Sequence, residues 1–136
     1  KFLIVGGENK KIVSEFKKLP NVTYIQRAKN IRDVYKQTRV MLVPSVWPEP
    51  FGRVAMEAEI SGIPCIGSAS GGVPEAIGDG GYVVDDVLDV NKLISLIKSL
   101  DDEKTYKKMS GKARNHANNF TRVKQMKRLY GFLKKL

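Results

Sequence analysis

Residues 44–64, PSVWPEPFGRVAMEAEISGIP, decide the fold of this chain. A short apolar run at residues 40–43 precedes them and predicts a buried strand, while Gly62 and Pro64 end the helix predicted in their second half. Open α/β folds present ligand sites on a strand, a glycine-bearing loop and a helix in this order, because the first N–H groups of a helix have no partner within it. The sequence therefore predicts an α/β protein with a ligand site in this stretch.

Two glutamates flank the loop of this stretch. Glu49 and Glu57 are separated by seven residues, and the pair Phe51-Gly52 lies between them. A helix rises about 1.5 Å per residue, so Glu57 is expected roughly 8 Å along a helix that begins near Gly52. Two carboxylates that accept hydroxyl groups would then flank backbone amides with a partial positive charge. A nucleoside-diphosphate sugar has hydroxyls at both ends and an anionic diphosphate between them, so this spacing suits such a ligand.

The run EPFGRVAMEAEISGIPCIGSASGGVPEAIGDGGYVV carries a family resemblance. It resembles the donor-binding half of retaining glycosyltransferases of the two-domain GT-B fold, the glycogen-synthase and mannosyltransferase-like group of the family-four type. The glutamate pair of that group falls on Glu49 and Glu57, followed by GIP at 62–64 and GGVPE at 71–75. A weaker resemblance extends back to the first strand. The implied fold class is α/β: a Rossmann-like parallel sheet flanked by helices, the C-terminal half of a GT-B fold, with a helical C-terminal tail.

The resemblance implies a function for residues 1–136 as a nucleotide-sugar donor-binding domain. The whole enzyme would transfer a sugar from a nucleotide-diphosphate sugar to an acceptor hydroxyl, and the resemblance implies no metal or other cofactor. The chain opens at Lys1 directly into an apolar run, without Met or a polar lead-in. We therefore expect an N-terminally truncated chain, inactive by itself, that lacks the acceptor domain and the segment carrying a phosphate-binding Arg and Lys.

The resemblance also implies roles for the residues of the central stretch. Glu49 would orient the sugar and Glu57 would bind the ribose hydroxyls, and these two form the predicted catalytic pair. The amides of Phe51 and Gly52 would meet the sugar or the distal phosphate. Arg53 is either a further phosphate ligand or an exposed arginine of the first helical turn, and the second interpretation is preferred.

Two neighbouring residues are expected to have structural roles only. Glu59 is two positions from Glu57 and so points elsewhere on the helix, which predicts a plain surface position. Trp47 is expected to pack the loop down rather than to wall a sugar pocket.

Two further loops are assigned to the donor site. Ser70, Gly71 and Gly72 lie in a glycine-rich turn before a short helix, where backbone amides could bind an anion. The alternative is a tight turn with Pro74 in the first helical turn. Arg27 stands where members of the resembled family commonly have glycine. It either points into the cleft, to meet a base or phosphate, or points outward, and the sequence leaves both open.

Charge is distributed unevenly along the chain. The net charge is +10, and residues 101–136 hold eleven Lys and Arg against three acids. This basic third would suit an anionic membrane surface, an acidic partner or nucleic acid, although the resemblance gives no reason to expect nucleic acid. The plainer interpretation is a solvated helix face. The alternative functions are accordingly a non-catalytic nucleotide-binding module and a basic domain that binds nucleic acid or a membrane surface.

The remaining features set the expected surroundings of the protein. Apolar runs are too short to cross a membrane, no leader segment is visible, and Cys65 is the single cysteine. These features predict a cytoplasmic protein, peripheral at the inner face of a membrane if the basic third binds lipid. The lone His116 has no acidic or cysteine neighbours in sequence and is expected to pack on a helix or lie at the surface. GxGxxG is missing, which argues against a dinucleotide-binding dehydrogenase.

Periodicity gives the remaining element boundaries. Strands are predicted at 1–5, 22–25, 40–43, 63–67 and 82–84. Helices are predicted at 8–19, 31–37, 90–100 and 101–118, with a last helix capped by Thr121 whose apolar stripe ends at Leu136.

Overall fold

The computed structural model describes residues 1–7 and 9–135. Glu8, which was expected to begin the first helix, and Leu136, at the end of the last apolar stripe, lie outside the described residues. Strands and helices alternate from the first strand to α5, and the remaining elements are helical: β1 (Phe2–Val5), α1 (Lys10–Lys17), β2 (Val22–Ile25), α2 (Ile31–Lys36), β3 (Met41–Val43), α3 (Arg53–Ile60), β4 (Cys65–Ser68), α4 (Val73–Ile77), β5 (Gly81–Val84), α5 (Val90–Ser99), α6 (Glu103–Ala117), a 3₁₀ turn (Asn118–Phe120) and α7 (Arg122–Leu133). The chain forms two compact units, Lys1–Thr38 and Arg39–Leu136.

The first unit is a β-α-β-α segment. β1 and β2 pair in parallel, with Phe2 opposite Val22, and α1 connects them. The side chain of Asn9 caps α1 by accepting hydrogen bonds from the amides of Lys11 and Ile12, as expected for an asparagine at a helix start. Its strands and helices match the α/β pattern predicted from the sequence.

The second unit contains a three-stranded parallel sheet in the order β3-β4-β5. All four residues of β4 are buried, as expected for the central strand of a sheet covered on both faces. The free thiol of Cys65 lies in this strand, and burial raises its pKa. The carboxyl ends of parallel strands meet at one edge, so the loop after β3 and the loop after β4 lie side by side.

Small side chains allow the helices of this unit to pack closely. Ala55 and Ala58 of α3, Ala76 of α4 and Ala113 of α6 are all fully buried. The hydroxyl of Ser110 on α6 adds a hydrogen bond of 2.6 Å to the carbonyl of Gly62, just after α3. α3 is therefore held between α4 and α6 rather than lying on the surface.

Arg39 ties the last helices to the start of β3. Its guanidinium donates to the carbonyl of Leu100, the C-cap of α5, at 2.9 Å, and pairs with the carboxylate of Glu103 at 2.9 Å. It also lies 4.0 Å over the ring of Tyr106. One side chain thus satisfies a helix-end carbonyl and joins α5, α6 and the sheet.

We expect Arg39→Ala to lower the free energy of unfolding by about 1.5 kcal/mol, because it removes charged hydrogen bonds to the end of α5. Urea unfolding measures this. Arg39→Lys is the matched control and should recover less than half of the loss, since an ammonium lacks the forked, planar donor group. Wild-type stability in the alanine variant would show that these contacts contribute nothing.

The C-terminal helix α7 begins at its predicted cap, because the hydroxyl of Thr121 accepts the amide of Lys124. Several large apolar side chains of α7 are exposed: Val123, Met126, Leu129, Tyr130, Phe132 and Leu133. Among the described residues no helix has the length and apolar character needed to cross a membrane.

Candidate functional site

The candidate site lies at the carboxyl edge of the three-stranded sheet. The loop from Pro44 to Gly52 leaves β3 and enters α3, and the loop from Ala69 to Gly72 leaves β4 and enters α4. Glu49 lies in the first loop and Glu57 lies within α3, which is the arrangement predicted from their spacing. The structure therefore brings both glutamates and the glycine-rich turn to one region of the second unit.

Glu49 is held by hydrogen bonds on two sides. The hydroxyl of Ser45 donates to its carboxylate at 2.5 Å, and the amide of Gly72 donates to its carbonyl at 2.7 Å. The side chain is half-buried. Both the loop backbone and the carboxylate are thus oriented without a ligand. The contact of Ser45 was not predicted, although its position four residues before Glu49 is a sequence signal for it.

The glycine-rich turn touches the Glu49 loop backbone to backbone. Gly71 has a φ of +56°, and a Cβ atom there would lie 2.6 Å from the nitrogen of Glu49. A Cβ on Gly72 would lie 2.7 Å from the Cα of Phe51. The carbonyl of Ser70 accepts the amide of Val73 as the turn enters α4. Close packing thus gives these positions a structural reason for glycine, whereas their contacts with a donor stay a prediction.

Gly52 forms the start of α3 in a left-handed conformation. Its φ is +77°, which favours glycine, and it has no side chain with which to cap the helix. A Cβ there would lie 3.4 Å from Val73 of α4, so the helix start is also packed against the neighbouring helix. The Ala55 amide donates to the Gly52 carbonyl at 3.0 Å, and no side chain caps the amides before it at the start of α3.

Glu57 and Arg53 lie one turn apart on the outer part of α3. The guanidinium of Arg53 approaches the carboxylate of Glu57 at 3.7 Å, and the two side chains are 86% and 43% exposed. An ion pair with that exposure contributes little to stability. Arg53 therefore has the exposed first-turn position preferred in the sequence analysis, and Glu57 keeps an accessible carboxylate.

The prediction for Glu59 was wrong. It was expected at the surface, but its side chain is fully buried and neither carboxylate oxygen has a hydrogen-bond partner among the described residues. It lies against Gly80, where a Cβ would approach its carboxyl carbon to 2.7 Å. Burial, reinforced by the nearby charge of Asp79, raises the pKa of Glu59 to about 8. The prediction failed because α6 covers this face of α3, and that contact joins distant parts of the sequence.

Trp47 corrects a second prediction. It was expected to pack the loop down, but its side chain is 71% exposed and the neighbouring Val46 is exposed as well. The loop is held instead by the hydrogen bonds to Glu49, which makes a packed tryptophan unnecessary.

Arg27 lies in the first unit, in the loop between β2 and α2, and its side chain is exposed.

Aromatic contacts support the site from the C-terminal side. The ring of Phe51 lies 5.4 Å from that of Phe120, which lies 5.1 Å from His116. The Nε2 atom of His116 is 2.9 Å from the carbonyl of Glu75 on α4. His116 thus packs between helices, as the sequence indicated, whereas nothing in the local sequence pointed to the contact between Phe51 and Phe120. Among the described residues, no group of three or more His, Cys, Asp or Glu could hold a metal ion.

Comparison with known proteins gives several glycosyltransferases among the relatives and the solved structures. The D-inositol 3-phosphate glycosyltransferase of Corynebacterium diphtheriae is 42% identical over 90 residues, 65% of this chain and 21% of that protein. Anabaena HepE in complex with UDP-glucose has a TM-score of 0.79 at 22% identity, covering 98% of this chain and 40% of that one. Sucrose-phosphate synthase of Thermosynechococcus elongatus has a TM-score of 0.72 at 28% identity, covering 98% and 38%. The chain thus spans about a fifth of the length of its first curated relatives.

These likenesses confirm the fold class and the resemblance to GT-B glycosyltransferases drawn from the sequence. The parallel sheets flanked by helices match GT-B glycosyltransferase structures over nearly the whole chain. The family model described as "Glycosyl transferases group 1" matches residues 1–116. The chain belongs to the glycosyl transferases group 1 family.

Proposed function

We propose that residues 1–136 are the donor-binding domain of a retaining glycosyltransferase, which moves a sugar from a nucleoside-diphosphate sugar to an acceptor hydroxyl. The main support for this proposal is the arrangement of the two glutamates around the start of α3. Glu49 is fixed by Ser45 and Gly72 immediately before the uncapped start of α3, and Glu57 follows on the same helix. Carboxylates on both sides of a helix start without a capping side chain suit a ligand that has hydroxyl groups at its ends and phosphates at its centre.

The chemistry follows from this arrangement. Transfer of a glycosyl group builds negative charge on the departing diphosphate and positive charge on an oxocarbenium-like sugar, and preorganised dipoles and charges lower that barrier. Helix-start amides at Phe51 and Gly52 would stabilise the diphosphate, and Glu49 would orient the sugar. Glu57 would bind the ribose hydroxyls. This scheme requires no metal ion.

Several parts of the activity belong outside this chain. The acceptor hydroxyl would be held by a separate acceptor domain of the same polypeptide, and the chain spans only 21% of its first curated relative. The exposed apolar side chains of α7 support such a partner, because a helix with apolar residues on its surface is normally covered. Association of this basic helix with an anionic membrane surface, at the inner face of a membrane, stays a prediction.

Glu57→Ala is expected to weaken nucleotide binding at least tenfold, which is about 1.4 kcal/mol. The physical reason is the loss of the carboxylate that would accept both ribose hydroxyls. Calorimetric titration of the chain with UDP, GDP and ADP measures the effect and identifies the base. Support for a uridine nucleotide comes from HepE, whose structure holds UDP-glucose.

Glu103→Ala is the matched control for this experiment. Glu103 is also an exposed glutamate in an ion pair, but its partner Arg39 precedes β3, at the opposite end of the strand from the candidate loops. The control should bind nucleotide like the unmodified chain. Equal binding by Glu57→Ala would contradict the ribose role. The alternative function, a non-catalytic binding module, would apply if the chain binds a nucleotide but the whole polypeptide transfers no sugar.

A further inference from the structure

The residue Phe120 lies far from the candidate site in sequence but touches it in space. It ends the 3₁₀ turn that follows α6, and its half-buried ring lies 5.4 Å from the ring of Phe51 at an angle of 47°. Tilted aromatic pairs at this separation attract each other beyond the burial of their apolar area. Phe51 is the residue directly before Gly52, so this contact acts on the start of α3.

Phe120 is itself held on two other sides. His116, one helical turn earlier, places its ring 5.1 Å away, and the guanidinium of Arg128 on α7 lies 5.9 Å from the ring centre. His116 in turn contacts α4 through the carbonyl of Glu75. The end of α6 therefore contacts the loop before α3 through Phe120 and the helix α4 through His116.

The position of the Phe51 backbone depends on contacts from two directions. On one side it lies against Gly72, where even a methyl group would come within 2.7 Å of its Cα. In addition, its ring meets that of Phe120. Phe51 is thus confined both by the Gly72 backbone and by the Phe120 ring, and removal of the ring contact gives the segment more freedom to shift.

We propose that Phe120 is a positioning residue, which holds the Phe51 and Gly52 amides in the geometry that binds the distal phosphate of the donor. This inference rests on the proposed function and adds a residue from the C-terminal part of the chain to that site. Phe120 does not touch the donor. It acts through Phe51, so its substitution changes the affinity for the distal phosphate and leaves the contacts with the ribose and the base unchanged.

The test compares a nucleoside diphosphate with the monophosphate of the same base, chosen as the best binder among UDP, GDP and ADP. We expect Phe120→Ala to reduce the ratio of diphosphate to monophosphate affinity at least fivefold, measured by calorimetry. Phe120→Leu, which keeps an apolar contact with Phe51, should retain the ratio within twofold. Phe132→Ala is the matched control, because it removes a ring that is 62% exposed on α7, and it should leave the ratio unchanged.

A general loss of stability would weaken the binding of both nucleotides equally and leave the ratio unchanged. An unchanged ratio therefore overturns the inference. An independent measurement uses the ligand-free protein. In ¹H–¹⁵N spectra the Gly52 amide resonance should move in Phe120→Ala while that of Gly81 stays in place; an unmoved Gly52 resonance also overturns the inference. If the unmodified chain binds no nucleotide, the titrations are repeated on the whole polypeptide, and failure there overturns the proposed function. An unmoved Gly52 resonance separately overturns the role of Phe120 in positioning Phe51 and Gly52. If Glu57→Ala has no effect but the ratio falls in Phe120→Ala, only the ribose role of Glu57 fails.

Discussion

Gly72→Ala is expected to weaken nucleotide binding at least fiftyfold and to lower the free energy of unfolding by about 1–3 kcal/mol. The backbone of Gly72 has a φ of −84°, which alanine adopts without strain. The whole effect therefore comes from contact. The added Cβ would lie 2.7 Å from the Cα of Phe51 and against the carbonyl of Pro50, and neither backbone atom can rotate away.

The loop must then shift, and the shift reaches the predicted ligand groups at once. The hydrogen bond from the Gly72 amide to the Glu49 carbonyl is broken, and the Phe51 and Gly52 amides move with the loop. Calorimetric titration gives the change in affinity, and urea unfolding gives the change in stability. Binding at the unmodified level would show that the donor does not need the observed spacing between the two loops.

Gly111→Ala is the matched control for Gly72→Ala. Gly111 lies within α6, and a Cβ atom there would meet nothing within 4 Å. Alanine should stabilise that helix by about 0.5–1 kcal/mol, because glycine is a poor helix former and loses more freedom on folding. A loss of stability in Gly72→Ala and a gain in Gly111→Ala would show that close packing requires glycine at position 72, whereas position 111 has no such requirement.

Glu59→Gln is expected to make the chain more stable at pH 8.5 and to flatten its stability against pH. Burial, with a further contribution from Asp79, raises the pKa of Glu59 from its ordinary 4.5 to about 8. Between these values the folded chain holds a proton that the unfolded chain releases. The stability contributed by the protonated form is therefore complete below pH 4.5 and is lost as the pH rises through about 8.

The size of this effect follows from the size of the shift, since each pKa unit corresponds to about 1.4 kcal/mol. We expect at least about 1 kcal/mol of stabilisation in Glu59→Gln at pH 8.5, because a neutral amide avoids a buried charge. Urea unfolding at pH 5.5 and pH 8.5 measures it. The exposed Glu103→Gln is the control, and it should keep the pH dependence of the unmodified chain. Parallel pH profiles for Glu59→Gln and the unmodified chain would contradict the prediction.

Local sequence patterns predicted the fold well, because the strands of a parallel α/β fold correspond to short apolar runs and its helices begin at recognisable capping residues. Residues 22–25 form β2 as predicted, and Thr121 caps α7 as predicted. Boundaries shifted by one or two residues where hydrogen bonding, rather than the apolar pattern, ends the element. The strand predicted at 63–67, for example, runs over Cys65–Ser68.

Contacts between distant segments account for what the sequence did not predict. Glu59 is buried by α6, and Phe51 meets Phe120 sixty-nine positions later, so neither feature has a local signal. Trp47 shows the reverse error: an apolar side chain suggested burial, but hydrogen bonds at Glu49 hold the loop and leave the ring exposed. The placement of Glu49 and Glu57 followed from spacing alone, whereas their roles toward a donor stay predictions.

The interlocked backbones at Glu49 and Gly72 have a consequence for protein engineering. An insertion, a deletion or a bulky replacement in either loop displaces the other, because Gly71 and Gly72 leave no room for even one methyl group. The two loops therefore form a single exchangeable cassette, and a chimaera that takes one of them from a homologue must take the other with it. Exposed side chains such as Arg53 and Trp47 can be varied independently of that cassette.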